Sequence, residues 1–310
     1  MAKKIIFMGT PLFAVPILKS LYQNGYPISV VYTQPPQKSH RGQKINKSPI
    51  QGISETLNLD FRYPENLKDN NEEFKFIKDL NADLAIVVAY GKIIPKNFFN
   101  LTKKGFINIH GSILPKWRGA APIQRSIMNL DNETGISIMK IVEELDSGPV
   151  SNIYKIGLDK NDNAEEISEK LSLLASEKIL DIVDDILEDK AKFVNQDNSK
   201  ATYAKKISKM EGKINWNDEA SNILGKINGL FPFPGAFFNF NGERYKILKA
   251  EISNGIGKTG EVLNNSLEIA CINNRSIKIL EIQREGKKPQ KISEFMLGSQ
   301  IRKGSLISNA

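Results

Sequence analysis

Short apolar segments alternate with amphipathic ones over the first half of this 310-residue chain, and a long amphipathic segment follows them. The apolar segments are continuous or rich in β-branched residues and end at Gly, Pro or polar residues, which is typical of buried parallel strands. The amphipathic segments have the period of helices. Alternation of this kind predicts an α/β fold with a doubly wound, mostly parallel sheet. The predicted strands are Lys4–Met8, Ile28–Thr33, Leu84–Ala89 and Phe106–His110, and the predicted helices are Phe13–Gln23, Glu72–Leu80, Pro122–Asn129 and Ala164–Leu187.

The pattern changes after a polar stretch rich in Asp, Asn, Lys and Ser, residues 188–206, which we interpret as a linker. One further helix is predicted over Asp218–Leu230, followed by short strands separated by turn residues. Closely spaced short strands favour a small β-barrel. We therefore predict a first domain over 1–187 and a second over 207–310, with strands at Ala236–Asn241, Tyr245–Ile252, Gly260–Leu263, Leu267–Cys271 and Ile277–Gln283.

The predicted strand Phe106–His110 carries the first candidate site residues. Alternation along a strand directs Asn108 and His110 to one face and the isoleucines between them to the other. Gly111 and Pro115 break the strand directly after the histidine, and ligands of open α/β sheets bind at such carboxyl ends. A lone histidine in a strand is more often a structural residue, but the amide beside it and the break after it favour a site.

A second candidate lies in the turn Glu143–Pro149, where Asp146 precedes Ser-Gly-Pro. If its carboxylate approaches His110, it would favour the imidazolium form and orient the ring, as a general acid or base requires. An aspartate in a turn is more often a capping residue, so this role depends on the histidine.

Charge is distributed unevenly along the chain. Residues 1–50 carry a net charge of +7, residues 51–200 carry −6, and residues 201–310 carry +7, which together give the net +8. Two basic blocks around an acidic one suggest a polyanionic partner, although lysine-rich surfaces are commonly just solvated. The polar loop Thr33–Pro49 adds a second indication, because its Lys38, Arg41, Lys44 and Lys47 have no apolar anchor before Ile45.

Several functional classes are excluded by composition. With Cys271 as the only cysteine and only two histidines, the chain has no disulfide and no cysteine or histidine metal cluster. The turn Met8–Pro11 after the first strand lacks G-x-G-x-x-G, so we predict no NAD site. Neither a signal peptide nor an apolar stretch of the roughly 18 residues that a membrane helix needs is present, and we expect a cytoplasmic enzyme.

Two arginines and two tryptophans allow more than one interpretation. Arg118 and Arg125 could hold a phosphate or carboxylate, or could tie the loop before Pro122 to the following helix, and the sequence does not decide between these roles. Trp117 and Trp216 are interpreted as packing residues rather than base-stacking platforms.

The segments NIHGSILPKWRGAAPIQRSI and ETGISIMKIVEELDSGPV resemble the 10-formyltetrahydrofolate-dependent formyltransferases, whose signature is Asn-x-His-x-Ser-x-Leu-Pro with a downstream Leu-Asp-x-Gly. The segments IIFMGTPLFAVPIL, TQPPQKSHRGQKINKSP, VVAYGKIIP and TYAKKISKMEGKINW are similar to the branch of this family that formylates methionine on initiator tRNA. The resemblance extends over nearly the whole chain, which makes it more specific than any single motif.

The resemblance implies a Rossmann-like catalytic domain, an OB-like barrel and a set of site residues. The implied catalytic residues are Asn108, His110 and Asp146. The residues implied to contact 10-formyltetrahydrofolate are Ser112, Ile113, Leu114, Pro115, Tyr90, Gly91, Ile93, Ile94 and Val142. No metal is implied.

The implied partner is initiator methionyl-tRNA, bound by the loop residues Lys38, Arg41, Lys44 and Lys47 and by the basic C-terminal domain. The loop's Arg-Gly-Gln-Lys departs mildly from the Arg-Gly-Lys-Lys of the family, and we expect a monomer. Three alternatives remain open at this point: formylation of a small amine, hydrolysis of the formyl-folate, and an inactive RNA-binding protein.

Overall fold

A computed structural model describes residues 3–39 and 44–308 of the chain, without the side chains of residues 38, 39 and 44. Within these residues a seven-stranded sheet has the order β10-β9-β7-β6-β1-β2-β5. The strands β1, β2, β5, β6 and β7 run parallel to one another, and β9 is antiparallel to β7. The strands of this sheet are β1 Ile5–Gly9, β2 Ile28–Tyr32, β5 Phe61–Arg62, β6 Leu84–Val88, β7 Phe106–His110, β9 Glu133–Lys140 and β10 Val150–Gly157. The mostly parallel sheet predicted from the sequence is confirmed.

The central strand β1 shows why the apolar runs become strands. Each of its residues from Ile5 to Met8 is fully buried, and Phe7 lies between Val31 of β2 and Ile86 of β6. A strand with neighbours on both edges and cover on both faces has no polar position, so it reads as a continuous apolar run.

The helices agree closely with the predicted periodicity. The first predicted helix begins as a 3-10 turn over Leu12–Ala14 before it becomes α-helical. Ile77 of the third helix packs on the sheet face formed by Ile6, Met8 and Val87. The helices are α1 Val15–Gln23, α2 Pro49–Thr56, α3 Asn71–Leu80, α4 Pro122–Met128, α5 Ala164–Leu187, α6 Ala220–Gly229 and α7 Ile292–Gly298.

The C-terminal part contains an antiparallel sheet of five strands. Trp216, Phe238 and Tyr245 lie at the centre of its core, where Phe238 stacks on Tyr245. The antiparallel sheet is consistent with a small barrel-like domain, although Gly260–Leu263 takes part only in isolated bridges rather than in a strand. The strands are β12 Ala236–Phe240, β13 Glu243–Ser253, β14 Glu268–Ala270, β15 Ser276–Arg284 and β16 Gln290–Lys291.

Short strand pairs occur in the connecting segments. The polar loop expected at 33–49 contains an antiparallel pair in which Lys38 lies opposite Ile45. These short strands are β3 Gln37–Ser39, β4 Lys44–Asn46, β8 Arg118–Gly119 and β11 Tyr203–Ala204. No helix in the described part of the chain is both long and apolar enough to span a bilayer.

The chain divides into two compact units. The first comprises Met1–Gly119, Gly135–Lys155 and Ser168–Tyr203, and the second comprises Ala120–Thr134, Ile156–Ile167 and Ala204–Ala310. Most of the stretch 188–206, interpreted as a linker, therefore belongs to the first unit. The domain boundaries 1–187 and 207–310 stay predictions.

Candidate active site

Strand β7 presents Asn108 and His110 on one face, as its alternation predicts. Ile107 and Ile109 of the same strand are buried in the opposite layer. The Asn108 side chain is partly exposed, and no described residue lies within hydrogen-bond distance of its amide. A partly exposed amide of this kind can donate to a substrate oxygen.

The imidazole of His110 is held at both ring nitrogens. Its Nε2 lies 2.9 Å from the backbone oxygen of Trp117, and its Nδ1 lies 3.6 Å from Oδ2 of Asp146. The second distance is that of an ion pair rather than a hydrogen bond. Each ring nitrogen of His110 therefore faces an oxygen atom. The histidine and the carboxylate that the sequence paired are therefore adjacent in the fold.

The turn around Asp146 is tight and positions its carboxylate. Asp146 has a left-handed backbone with φ +50°, and its Oδ2 accepts a hydrogen bond of 2.8 Å from the N–H of Gly119. A Cβ at Gly148 would meet the backbone oxygen of Lys140 at 1.9 Å, so only glycine fits there. Trp117, on the other side of His110, is also left-handed, with φ +60°. Strained backbone of this kind clusters at functional sites.

Gln196 also contacts this turn, although no pattern in the sequence singles it out. Its Nε2 donates to the backbone oxygens of Asp146 at 2.9 Å and Gly148 at 2.7 Å. Its Oε1 accepts from Nε and Nη2 of Arg118 at 3.0 and 2.8 Å. A local signal is missing because these partners lie about 50 or more residues away along the chain.

The residues predicted to contact the folate fall into two groups. The side chains of Tyr90, Ile94, Ser112 and Leu114 are buried in the protein, so they support the surface from behind. The Oγ of Ser112, for example, donates to the backbone oxygen of Lys116 at 2.6 Å. The remaining residues are at least partly accessible, and they are Gly91, Ile93, Ile113, Pro115 and Val142.

Two exposed segments, one of which leads into the turn around Asp146, carry apolar side chains. Ile93 is 86 % exposed and Leu145 is 66 % exposed, which is unusual for side chains of this size. A salt bridge of 2.6 Å between Lys96 and Glu143 joins the two segments. The Glu143 carboxylate raises the pKa of Lys96 above its ordinary value. These accessible apolar groups are suited to a flat organic ligand.

The two arginines that the sequence left undecided both bind protein groups. Arg118 is 1 % exposed, and its guanidinium also donates to Oδ1 of Asn198 at 2.7 Å. Arg125 forms a salt bridge of 2.7 Å with Glu211, and this hydrogen bond lowers the pKa of the Glu211 carboxyl. These contacts favour the structural alternative. Trp216 is fully buried in the core of the second unit, which confirms its packing role.

Three of the predicted tRNA-binding residues, Lys38, Lys44 and Lys47, lie on or beside the β3–β4 pair. Lys47 forms an exposed salt bridge of 2.9 Å with Glu55. Lys38 and Lys44 occupy strand positions, but their side chains are not described, and Arg41 lies outside the described residues. Their role stays a prediction.

Comparison with protein families gives two matches. Residues 3–183 match the model described as formyl transferase, and residues 206–300 match the model described as formyl transferase, C-terminal domain. The chain is 67 % identical over 309 residues to the methionyl-tRNA formyltransferase of Pelagibacter ubique, with complete coverage of both chains. It is 40 % identical over 304 residues to the methionyl-tRNA formyltransferase of Jannaschia sp., which covers 98 % of this chain and 99 % of that relative.

Solved structures share the fold at low sequence identity. An N-formyltransferase from Helicobacter canadensis in complex with folinic acid and dTDP-3-aminofucose superposes with a TM-score of 0.68 and 20 % identity, covering 92 % of this chain and 100 % of that one. HypX from Aquifex aeolicus in complex with tetrahydrofolic acid gives a TM-score of 0.66 and 16 % identity, covering 96 % of this chain and 47 % of that one.

Proposed function

Since the chain belongs to the formyl transferase family, we propose that it transfers the formyl group of 10-formyltetrahydrofolate to the α-amino group of methionine on initiator tRNA. The product, formylmethionyl-tRNA, serves translation initiation. The observation that carries this proposal is the contact between His110 and Asp146 at the carboxyl end of β7, with Asn108 on the same face of that strand, in a chain of high identity to named methionyl-tRNA formyltransferases.

Each of the three residues has a chemical role in this reaction. The folate supplies an electrophilic formyl carbon, which the neutral amine attacks before the C–N bond to the folate breaks. Asn108 can donate to the formyl oxygen as it gains negative charge, and donors aimed at such an oxygen stabilise the transition state more than the ground state. The His110 ring lies on the same face of β7, with its Nδ1 facing the Asp146 carboxylate, and offers a second polar group beside the formyl oxygen. The carboxylate can take part in moving the proton from the attacking amine to the departing folate nitrogen.

The accessible surface next to the three residues supports a folate subsite. The exposed side chains of Ile93, Val142 and Leu145 offer apolar contact, and the Lys96–Glu143 salt bridge holds their two segments together. The backbone oxygen of buried Tyr90 accepts hydrogen bonds from the side chains of Thr10 and Gln34. These bonds stabilise the segment that carries Ile93.

The tRNA phosphates would contact the β3–β4 pair and the basic C-terminal residues 201–310. Phosphate binding by Lys and Arg is sequence-independent and salt-sensitive. The net charge of +7 in each of the two basic blocks supports this assignment.

The direct test mixes the protein with 10-formyltetrahydrofolate and initiator tRNA charged with methionine. We expect formylmethionine at the acceptor end and stoichiometric tetrahydrofolate, with uncharged tRNA as the control. Formate release at the same rate without tRNA would point to a hydrolase, and formylation of small amines alone would remove the tRNA from the proposal.

A further inference from the structure

Every donor and acceptor of the Gln196 side-chain amide has a hydrogen-bond partner, and the nature of these partners fixes which way the amide faces. The guanidinium of Arg118 can only donate, so the oxygen of the amide must face it, while two backbone oxygens face the nitrogen. Both amide hydrogens and both acceptor sites of the oxygen therefore have partners. A side chain in this state has little freedom to move.

The two backbone oxygens that accept from Gln196 belong to the turn around Asp146. Asp146 and Gly148 lie on either side of the Ser147 peptide unit, and the left-handed backbone of Asp146 sets the direction of its carboxylate. Hydrogen bonds at both ends of the turn oppose rotation of that backbone. They therefore fix where Oδ2 of Asp146 lies relative to Nδ1 of His110.

The other end of the Gln196 side chain reaches the second loop around His110. Arg118 lies between Trp117, whose backbone oxygen binds His110, and Gly119, whose N–H binds Asp146. Thr202, a few residues after Gln196, accepts from the N–H of Trp117 through Oγ1 and from the N–H of Arg118 through its backbone oxygen, both at 2.9 Å. The segment 196–202 thus holds both loops that contact His110.

From this arrangement we infer that Gln196 is a positioning residue, which fixes the Asp146 carboxylate and the His110 ring for formyl transfer. The inference rests on the proposed function. Because Gln196 acts through Asp146 and not on either substrate, its loss lowers turnover more than it weakens folate binding. A misplacement of about 1 Å at a catalytic group costs on the order of 10²-fold in rate.

The test variant is Gln196→Glu. Its carboxylate still accepts from buried Arg118, so the fold is retained, but it cannot donate to the backbone oxygens of Asp146 and Gly148. We expect kcat to fall about 10- to 100-fold, with a smaller change in KM for 10-formyltetrahydrofolate. Gln196→Met, which is neutral and of similar length, serves if the first variant does not fold. A kcat within twofold of the parent would overturn the inference.

Two controls separate positioning from a general structural effect. Asn195→Asp makes the same amide-to-acid change at an exposed neighbouring position, and its kcat should equal that of the parent. In an Asp146→Asn background, Gln196→Glu should cause less than a twofold further loss, because its effect passes through Asp146. An equal loss in both backgrounds would contradict the inference.

A spectroscopic readout distinguishes a failure of the inference from a failure of the proposed function. The chain has only two histidines, so imidazole NMR signals are easily assigned with a His40→Gln variant. The ring signals of His110 should shift in Gln196→Glu and stay unchanged in Asn195→Asp. Absence of formyl transfer by the parent would refute the proposed function alone, whereas unshifted His110 signals would refute the role of Gln196.

Discussion

The Asp146 carboxylate is bound by a backbone N–H and faces the His110 ring with the same oxygen atom. Oδ2 accepts from Gly119 at 2.8 Å and lies 3.6 Å from Nδ1 of His110. An asparagine at position 146 would keep an oxygen for Gly119 but would remove the negative charge. The backbone hydrogen bond and the charge can therefore be separated by one substitution.

We expect Asp146→Asn to lower kcat by at least about 10²-fold, since the His110 ring loses the carboxylate charge that faces its Nδ1. The melting temperature should change little, because the hydrogen bond from Gly119 remains. Steady-state kinetics and a thermal melt measure the two effects. Turnover close to that of the parent would show that the charge of Asp146 is not needed.

Asn108→Ala tests the donor that has no partner among the described residues. Its removal should cost about 10²- to 10³-fold in kcat, the usual effect of removing one donor to a developing oxyanion. Stability should not fall, since the amide forms no hydrogen bond with any described residue. An effect that appears only in KM for the folate would place Asn108 in substrate binding instead.

At the scale of elements, one buried carboxylate joins helix α3 to two strands of the sheet. Glu73 in the first turn of α3 is 5 % exposed, accepts from Arg62 of β5 at 2.7 Å and from the hydroxyl of Tyr32 of β2 at 2.5 Å. Burial, with the hydrogen bond to Glu73, raises the pKa of Tyr32 well above its ordinary range. The hydroxyl therefore remains a donor to Glu73 over the physiological pH range.

Glu73→Ala should lower the free energy of unfolding by about 3–5 kcal/mol, because it leaves a buried hydroxyl without its acceptor and a partly buried guanidinium with only the exposed Glu72 as an acceptor. Glu72→Ala is the matched control. Glu72 is bonded to the same guanidinium at 2.9 Å, but its side chain is 82 % exposed, so its removal should cost less than about 1 kcal/mol. Urea titrations measure both values, and equal costs would contradict the role of burial.

The β3–β4 pair leads to a prediction on tRNA affinity. Replacing Arg41 and Lys44 with Ala should weaken tRNA binding and flatten its dependence on salt, by about one unit of log–log slope for each phosphate that is no longer neutralised. Lys47→Ala should have a smaller effect, because Lys47 is already paired with Glu55. Titrations at several salt concentrations provide the slopes, and an unchanged slope in the double variant would exclude these two residues.

At the scale of the whole molecule, the sequence was most informative where structure is local. Alternation predicted both ends of Phe106–His110, and helical periodicity predicted both ends of Ala164–Leu187. Alternation also predicted that Asn108 and His110 lie on one face of the strand. The contact of His110 with Asp146 was a hypothesis that the family resemblance supported, and only the fold shows it, because nothing local connects a strand residue with a turn 36 residues later.

The polar stretch 188–206 shows the limit of composition. Its Asp, Asn, Lys and Ser residues are typical of a linker, yet Gln196 and Asn198 hold buried Arg118. The same polar residue types serve both to bind a distant buried cation and to face water, so composition cannot separate the two roles. The Gly260–Leu263 segment shows a related limit, because β-branched residues between turn residues can form single bridges instead of a strand.

Cys271 provides a reporter for the second unit, since it is the only cysteine and is 4 % exposed. Burial raises the pKa of its thiol to about 12, whereas an unfolded cysteine titrates near 8.5. The native thiol is thus protonated at pH 8 as well as inaccessible, and a thiol reagent should label it at least about 10²-fold more slowly than in denaturant. Rapid labelling of the native protein would show that this core opens readily.

The same shift predicts how stability depends on pH. Below about pH 8.5 the thiol is protonated in both states and contributes no pH dependence. Between that value and about pH 12 the unfolded thiol ionises while the native one does not, so the free energy of unfolding falls as pH rises. Tyrosines and lysines titrate in the same range, so the measurement is the difference between the parent and Cys271→Ala in urea titrations at pH 7.5 and 9.5. The free energy of unfolding of Cys271→Ala, relative to that of the parent, should be higher at pH 9.5 than at pH 7.5. A difference independent of pH would contradict the burial of the thiol.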